Sequence, residues 1–85
     1  MYNGDSLVWL NPYVELLKIL KSSSGHQEYD IKIYEKLRKK FPDLTWSEFK
    51  RMLMVLEIRG YIHVGSVQKI SGYGKVRLVR LIKRR

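Results

Sequence analysis

The chain has 85 residues, 45% of them hydrophobic, which suits one domain with a modest core and argues against disorder. Cysteine is absent, so disulfides and thiolate metal sites are excluded, and His26 and His63 stand too far apart in sequence for metal-ligand spacing. The net charge is +9, and all of the acidic residues lie at or before Glu57: residues 1–57 net +1 and residues 58–85 net +8, a distribution that suits a polyanionic partner.

Residues 1–10 are expected to form an N-terminal arm or extra turn. Their apolar run, Leu7-Val8-Trp9-Leu10, is too short to span a bilayer, and no basic n-region precedes it. No signal peptide is therefore read there, and the expected location is cytoplasmic, nucleoid-associated if the source is prokaryotic. The remaining span, residues 11–85, is expected to form the folded domain. Asn11-Pro12 is an N-cap followed by proline at the first helical position. Tyr13, Leu16, Leu17 and Leu20 then recur at helical spacing until Ser22-Ser23-Ser24-Gly25. His26 to Tyr29 suits a short strand. Asp30 is a good N-cap for a second helix in which Ile31, Tyr34, Leu37 and Phe41 form the apolar stripe. Pro42-Asp43 stops it.

Thr45-Trp46-Ser47-Glu48 is a capping box, with the Thr45 hydroxyl accepting from the Glu48 amide and the Glu48 carboxylate reaching back. A third helix follows with Phe49, Leu53 and Leu56 on its inner stripe, and Gly60 is its left-handed terminator. After Gly60 the period changes. Tyr61–Val64 and Val76–Ile82 read as strands, and Ser71-Gly72-Tyr73-Gly74 as the tip of a hairpin between them.

This order, helix, short strand, helix, tight turn, helix, hairpin, resembles that of the winged helix family. Leu44-Thr45, then Phe49, Leu53 and Leu56, then Gly60-Tyr61-Ile62 is similar to the family's third helix and following strand. The likeness covers nearly all of the chain from Asn11 onward and is shared by many winged helix proteins, small archaeal or viral regulators among them. It implies an α+β fold: a three-helix winged helix-turn-helix with a C-terminal β-hairpin wing. It also implies a recognition helix at residues 45–59 laid in the major groove of duplex DNA. The outward positions would be Trp46, Ser47, Lys50, Arg51 and Met54, and the wing tip would run from Lys69 to Lys75.

The residue types suit that reading. Lys50 and Arg51 can reach phosphates or base edges, and Ser47 stands near a helix N-terminus that favours phosphate. Lys69, Tyr73 and Lys75 would meet the backbone and groove wall. Arg77 and Arg80 extend the basic stripe, and Lys83, Arg84 and Arg85 add non-specific attraction. Two features complicate it. Glu48 sets a carboxylate at the helix start, and the run Met52–Ile58 is apolar nearly all round. The expectation is that Met54, Val55 and Ile58 stay exposed, because the core needs only Leu53 and Leu56 there. A patch of that kind marks a partner surface: either Leu7 and Trp9 of the arm cover it, or another chain does. A homodimer fits, and so does a role as a protein-interaction subunit of a replication, transcription or division complex. The leading expectation is a transcriptional regulator or chromatin-type protein. No enzyme activity, cofactor or small-molecule substrate is expected, since Ser71-Gly72-Tyr73-Gly74 is too short for a phosphate loop and the carboxylates are scattered. No membrane partner is expected either, since there is no long amphipathic helix for its surface.

Overall fold

The structure, a computed structural model, describes residues 11–82. Leu7, Trp9, Lys83, Arg84 and Arg85 lie outside them. Helix α1 spans Pro12–Ser22, strand β1 Gln27–Tyr29, helix α2 Asp30–Arg38, helix α3 Trp46–Ile58, strand β2 Ile62–Ile70 and strand β3 Gly74–Leu81. A single 3-10 turn, Ser24–His26, joins α1 to β1. The fold is thus a small α+β arrangement of three helices and a three-stranded antiparallel sheet.

Each helix start is written locally. The Asn11 side chain accepts from the Tyr13 amide at 2.8 Å, with Pro12 in the first turn, where its missing N–H costs nothing. At α3 the capping box forms in both directions: the Glu48 amide donates to the Thr45 hydroxyl at 3.1 Å, and the Thr45 amide donates to the Glu48 carboxylate at 2.9 Å. The end of α3 is equally defined. The Tyr61 amide donates to the Leu56 carbonyl and the Gly60 amide to the Glu57 carbonyl, a paired closure that needs the positive φ of 83° at Gly60.

The second helix departs from expectation at both ends. Asp30 is not its cap. Tyr29 holds that place without a side-chain bond, and Asp30 begins the helix proper. The Asp30 side chain is buried at 6% exposure and does a longer-range job: its Oδ1 accepts from its neighbour's amide, Ile31, at 2.8 Å and from the Arg77 amide of β3 at 3.2 Å. The helix stops at Arg38 rather than running to Phe41. Its buried stripe is Asp30, Ile33 and Leu37, so Ile33 takes the core place expected of Ile31. Replacing Asp30 by alanine should therefore cost about 2 kcal/mol, because a part-buried strand amide loses its acceptor. Asp30→Asn keeps an acceptor oxygen and should cost less. Urea unfolding followed by circular dichroism would read both as lowered midpoints at unchanged slope.

The core joins Leu16 and Leu20 of α1, Ile33 and Leu37 of α2, Phe49, Met52, Leu53 and Leu56 of α3, and Ile62 and Val79 of the sheet. Met52 joins the expected inner stripe of α3, because it falls beside Phe49 and Leu56 on the inward arc of the helix. Strand order is β1-β3-β2, so β3 is central. Gln27 pairs with Arg80 and Tyr29 with Leu78 on one side, and Ile62 with Leu81 on the other. β2 is longer than its apolar start suggests, because it continues past a bulge. Gly65 and Ser66 together oppose Leu78, between the pairs Val64–Val79 and Val67–Arg77. A Cβ on Gly65 would lie 3.3 Å from the Leu78 carbonyl oxygen, so the bulge is closely packed there.

Candidate nucleic-acid interface

Helix α3 and the β2–β3 hairpin enclose a groove of about 510 Å³. Trp46, Lys50, Met54 and Glu57 line it from the helix, and Val67, Lys75 and Arg77 from the hairpin. The helical period puts Lys50 and Met54 on this side, one turn apart. The bulge resets the register beyond Val64, so that Val67 stands opposite Arg77, and Lys69 opposite Lys75. Side chains two apart on a strand share a face, so these four side chains look the same way. Arg80 is an odd number of positions from Arg77 and projects to the opposite face, in register with His63. The expected stripe of Arg77 and Arg80 is therefore split between two faces.

Carboxylates pair with three of the lysines on the α1–α2 side of the molecule. Glu15 meets Lys40 at 3.0 Å and Lys18 at 3.7 Å, and Glu28 meets Lys36 at 3.6 Å. The hydrogen bond from Lys40, reinforced by both ammonium charges and opposed by desolvation, holds the Glu15 carboxyl below its ordinary value. Arg38 donates to the Pro42 carbonyl and lies over the Tyr34 ring. Lys21, Lys32 and Lys39 have no carboxylate partner among the described residues, so pairing on that side is partial. Among the described residues, no carboxylate pairs with Lys50, Arg51, Lys69, Lys75 or Arg80. Lys69 and Lys75 are moreover direct cross-strand neighbours, a like-charge placement that costs stability unless an anion meets it.

The other expected site residues occupy varied settings. Ser47, Lys50, Arg51 and Met54 are exposed on α3, Met54 at 54%. Trp46 is only about one-third exposed; its ring packs at 5.1 Å on Tyr34 and 5.3 Å on Phe49, so it also closes the edge of the core. Tyr73 lies at the hairpin turn with the Lys32 ammonium 5.5 Å over its ring, which ties the tip to the start of α2. Arg77 donates to the Gly65 carbonyl at 3.2 Å, holding its guanidinium across the bulge. The apolar patch expected on α3 divides: Met54 faces the hairpin groove, Val55 is half-buried and lines a hollow beside α1, and Ile58 points outward at 78% exposure.

The carboxylate expected to complicate the start of α3 is turned away from the groove. Glu48 does not face the groove; it folds back on Thr45 and lines a hollow on the other side of α3 with Pro12 and Asp43. Glu57 does line the groove, but its carboxylate accepts from the Val64 amide at 3.1 Å and stands 3.9 Å from His63, fastening the end of α3 to β2. Neither this tie nor Val67's place in the groove has a local signal in the sequence; Gly65 within a strand pattern is the one available hint of the bulge that sets Val67's place. Among the described residues, no group of three or more His, Asp or Glu side chains could hold a metal ion, and no helix is long and apolar enough to cross a membrane. No family model, curated protein or solved structure matches this chain.

Proposed function

We propose that this chain is a winged helix-turn-helix domain that binds duplex DNA, with α3 as the recognition helix and the β2–β3 hairpin as the wing. The helix order and the central position of β3 are compatible with that layout. The observation that carries the reading is the cluster of cations on α3 and the hairpin: Lys50, Arg51, Lys69 and Lys75 have no carboxylate partner among the described residues, and Lys69 and Lys75 stand directly opposite each other across the strands. Lys50, Arg51, Lys69 and Lys75 neutralise phosphates, and Arg51 is placed on the outward face where a base edge is within reach of a long side chain. Met54 and Val67 give the groove an apolar floor suited to a thymine methyl or a sugar face.

Fluorescence anisotropy with a labelled mixed-sequence duplex tests the reading. Binding is expected to weaken steeply with salt, with a log–log slope of about −3.6 for four phosphate contacts. Absent binding, or binding indifferent to salt, would rule it out. A second reading, a winged helix used as a protein-interaction subunit or homodimer, draws on exposed Met54 and Ile58. A stoichiometric protein partner combined with no affinity for duplex DNA would favour it.

A further inference from the structure

A second surface is unrelated to the α3–hairpin groove and independent of the DNA-binding reading. Two adjoining hollows of about 520 and 420 Å³ share Val14, Leu17 and Tyr61, which makes them one continuous face. The face runs from α1 across Tyr61 to Ile82 at the end of β3. Val14 and Tyr61 are each 43% exposed, and Ile82 39%. No carboxylate lines either hollow, whereas Lys18, Lys21 and Arg59 do. A fitting occupant is therefore apolar and carries no basic side chain.

We propose that this face seats the chain's own Leu7-Val8-Trp9-Leu10 run. Asn11, the first described residue, itself lines one of the two hollows, so the run is joined directly to the rim of the face. Residues 1–10 carry no lysine or arginine and one carboxylate, Asp5, which complements Lys21 and Arg59, neither of them ion-paired among the described residues. The four residues of the run reach at most about 14 Å from Asn11, enough to lie in the hollow that Asn11 itself lines. A tether this short supplies an effective concentration on the order of millimolar, so even weak apolar contacts hold. Trp9 alone brings roughly 150–250 Å² of burial area. A second copy of the chain is the poorer occupant, because it would set the same cationic rim against itself.

The test uses the full chain with Trp46→Phe, leaving Trp9 as the single tryptophan. In the folded protein, Trp9 emission should lie to the blue of the urea-unfolded chain, resist acrylamide quenching and stay unchanged on dilution. Val14→Asp should move the emission to the red and restore quenching while far-ultraviolet circular dichroism stays folded. Val67→Asp, in the hairpin groove, should do neither. Emission matching the unfolded chain overturns the proposal. So does a blue shift that Val14→Asp leaves untouched, or one that disappears on dilution, which would assign the face to a second copy. If Trp46→Phe prevents folding, fluorotryptophan labelling of the otherwise unchanged chain gives the same decision. The Trp9 fluorine resonance must move with Val14→Asp and not with Val67→Asp.

Discussion

Replacing Lys50, Arg51, Lys69 and Lys75 together by alanine should lower duplex affinity on the order of a thousandfold near 0.1 M salt, with parent and variant converging near 1 M. The magnitude follows from counterion release: each phosphate that goes unneutralised takes about 0.9 from the log–log salt slope, so four of them take about 3.6. Little intramolecular bonding is disturbed, since none of the four has a carboxylate partner among the described residues. Stability should even rise slightly as the Lys69–Lys75 cross-strand repulsion disappears. Alanine at Lys18 and Lys40, which Glu15 already neutralises, should leave the slope almost unchanged. Anisotropy titrations across a salt series measure both sets. A quadruple variant that kept the parent slope would remove α3 and the hairpin from the interface.

The largest stability loss is expected at Phe49. Its side chain is fully buried, and its ring packs on Tyr34 and Trp46 at 5.3 Å each. Phe49→Ala should cost about 3–5 kcal/mol, from the forfeited transfer energy plus the cavity left behind. Domains of this size have roughly 5–15 kcal/mol in total, so the variant should melt roughly 15–30 °C lower. Phe49→Leu fills much of the volume and should recover a large part of the loss. Thermal and urea unfolding by circular dichroism read both. A double-mutant cycle with Trp46→Ala should show coupling of about 0.5–1.5 kcal/mol, the share that belongs to the ring pair. No coupling would mean that Trp46 merely lies over the core edge.

What is legible in the sequence is what depends on near neighbours. Asn11-Pro12, the Thr45–Glu48 box and the Gly60 terminator each act within a few residues, and all three form as read. Asp30 misleads for the complementary reason. An aspartate before an apolar stripe looks like a cap, but its carboxylate bonds the Arg77 amide 47 positions away, which no local pattern reveals. Ile31 and Ile33 lie on nearly opposite sides of the helix, and Ile33, one turn before Leu37, is the one on its arc; the i, i+3 reading through Tyr34 drifts away from the buried side. Lys50 and Arg51 can be placed outward by counting from the cap. Their companions on β2 cannot, because the bulge at Gly65–Ser66 decides which of its side chains turn toward α3, whereas Arg77 and Arg80, an odd number of positions apart on β3, fall on opposite faces by alternation alone. Glu48 shows the same limit: its residue type predicts a charge near the groove, while the reciprocal bond of the capping box turns it away.

The central place of β3 also sets an order of events in folding. It follows every other described element in the chain, yet both β1 and β2 depend on it for their pairing. β1 must wait for partners roughly fifty residues downstream, a separation that makes its closure late and slow relative to the local helices. During synthesis, α1, α2 and α3 emerge first and can gather around Leu16, Leu37 and Phe49 while β1 still lacks its partner and Asp30 still lacks the Arg77 amide. The last strand to appear then acts as the fastener, joining sheet, α2 and hairpin in one step.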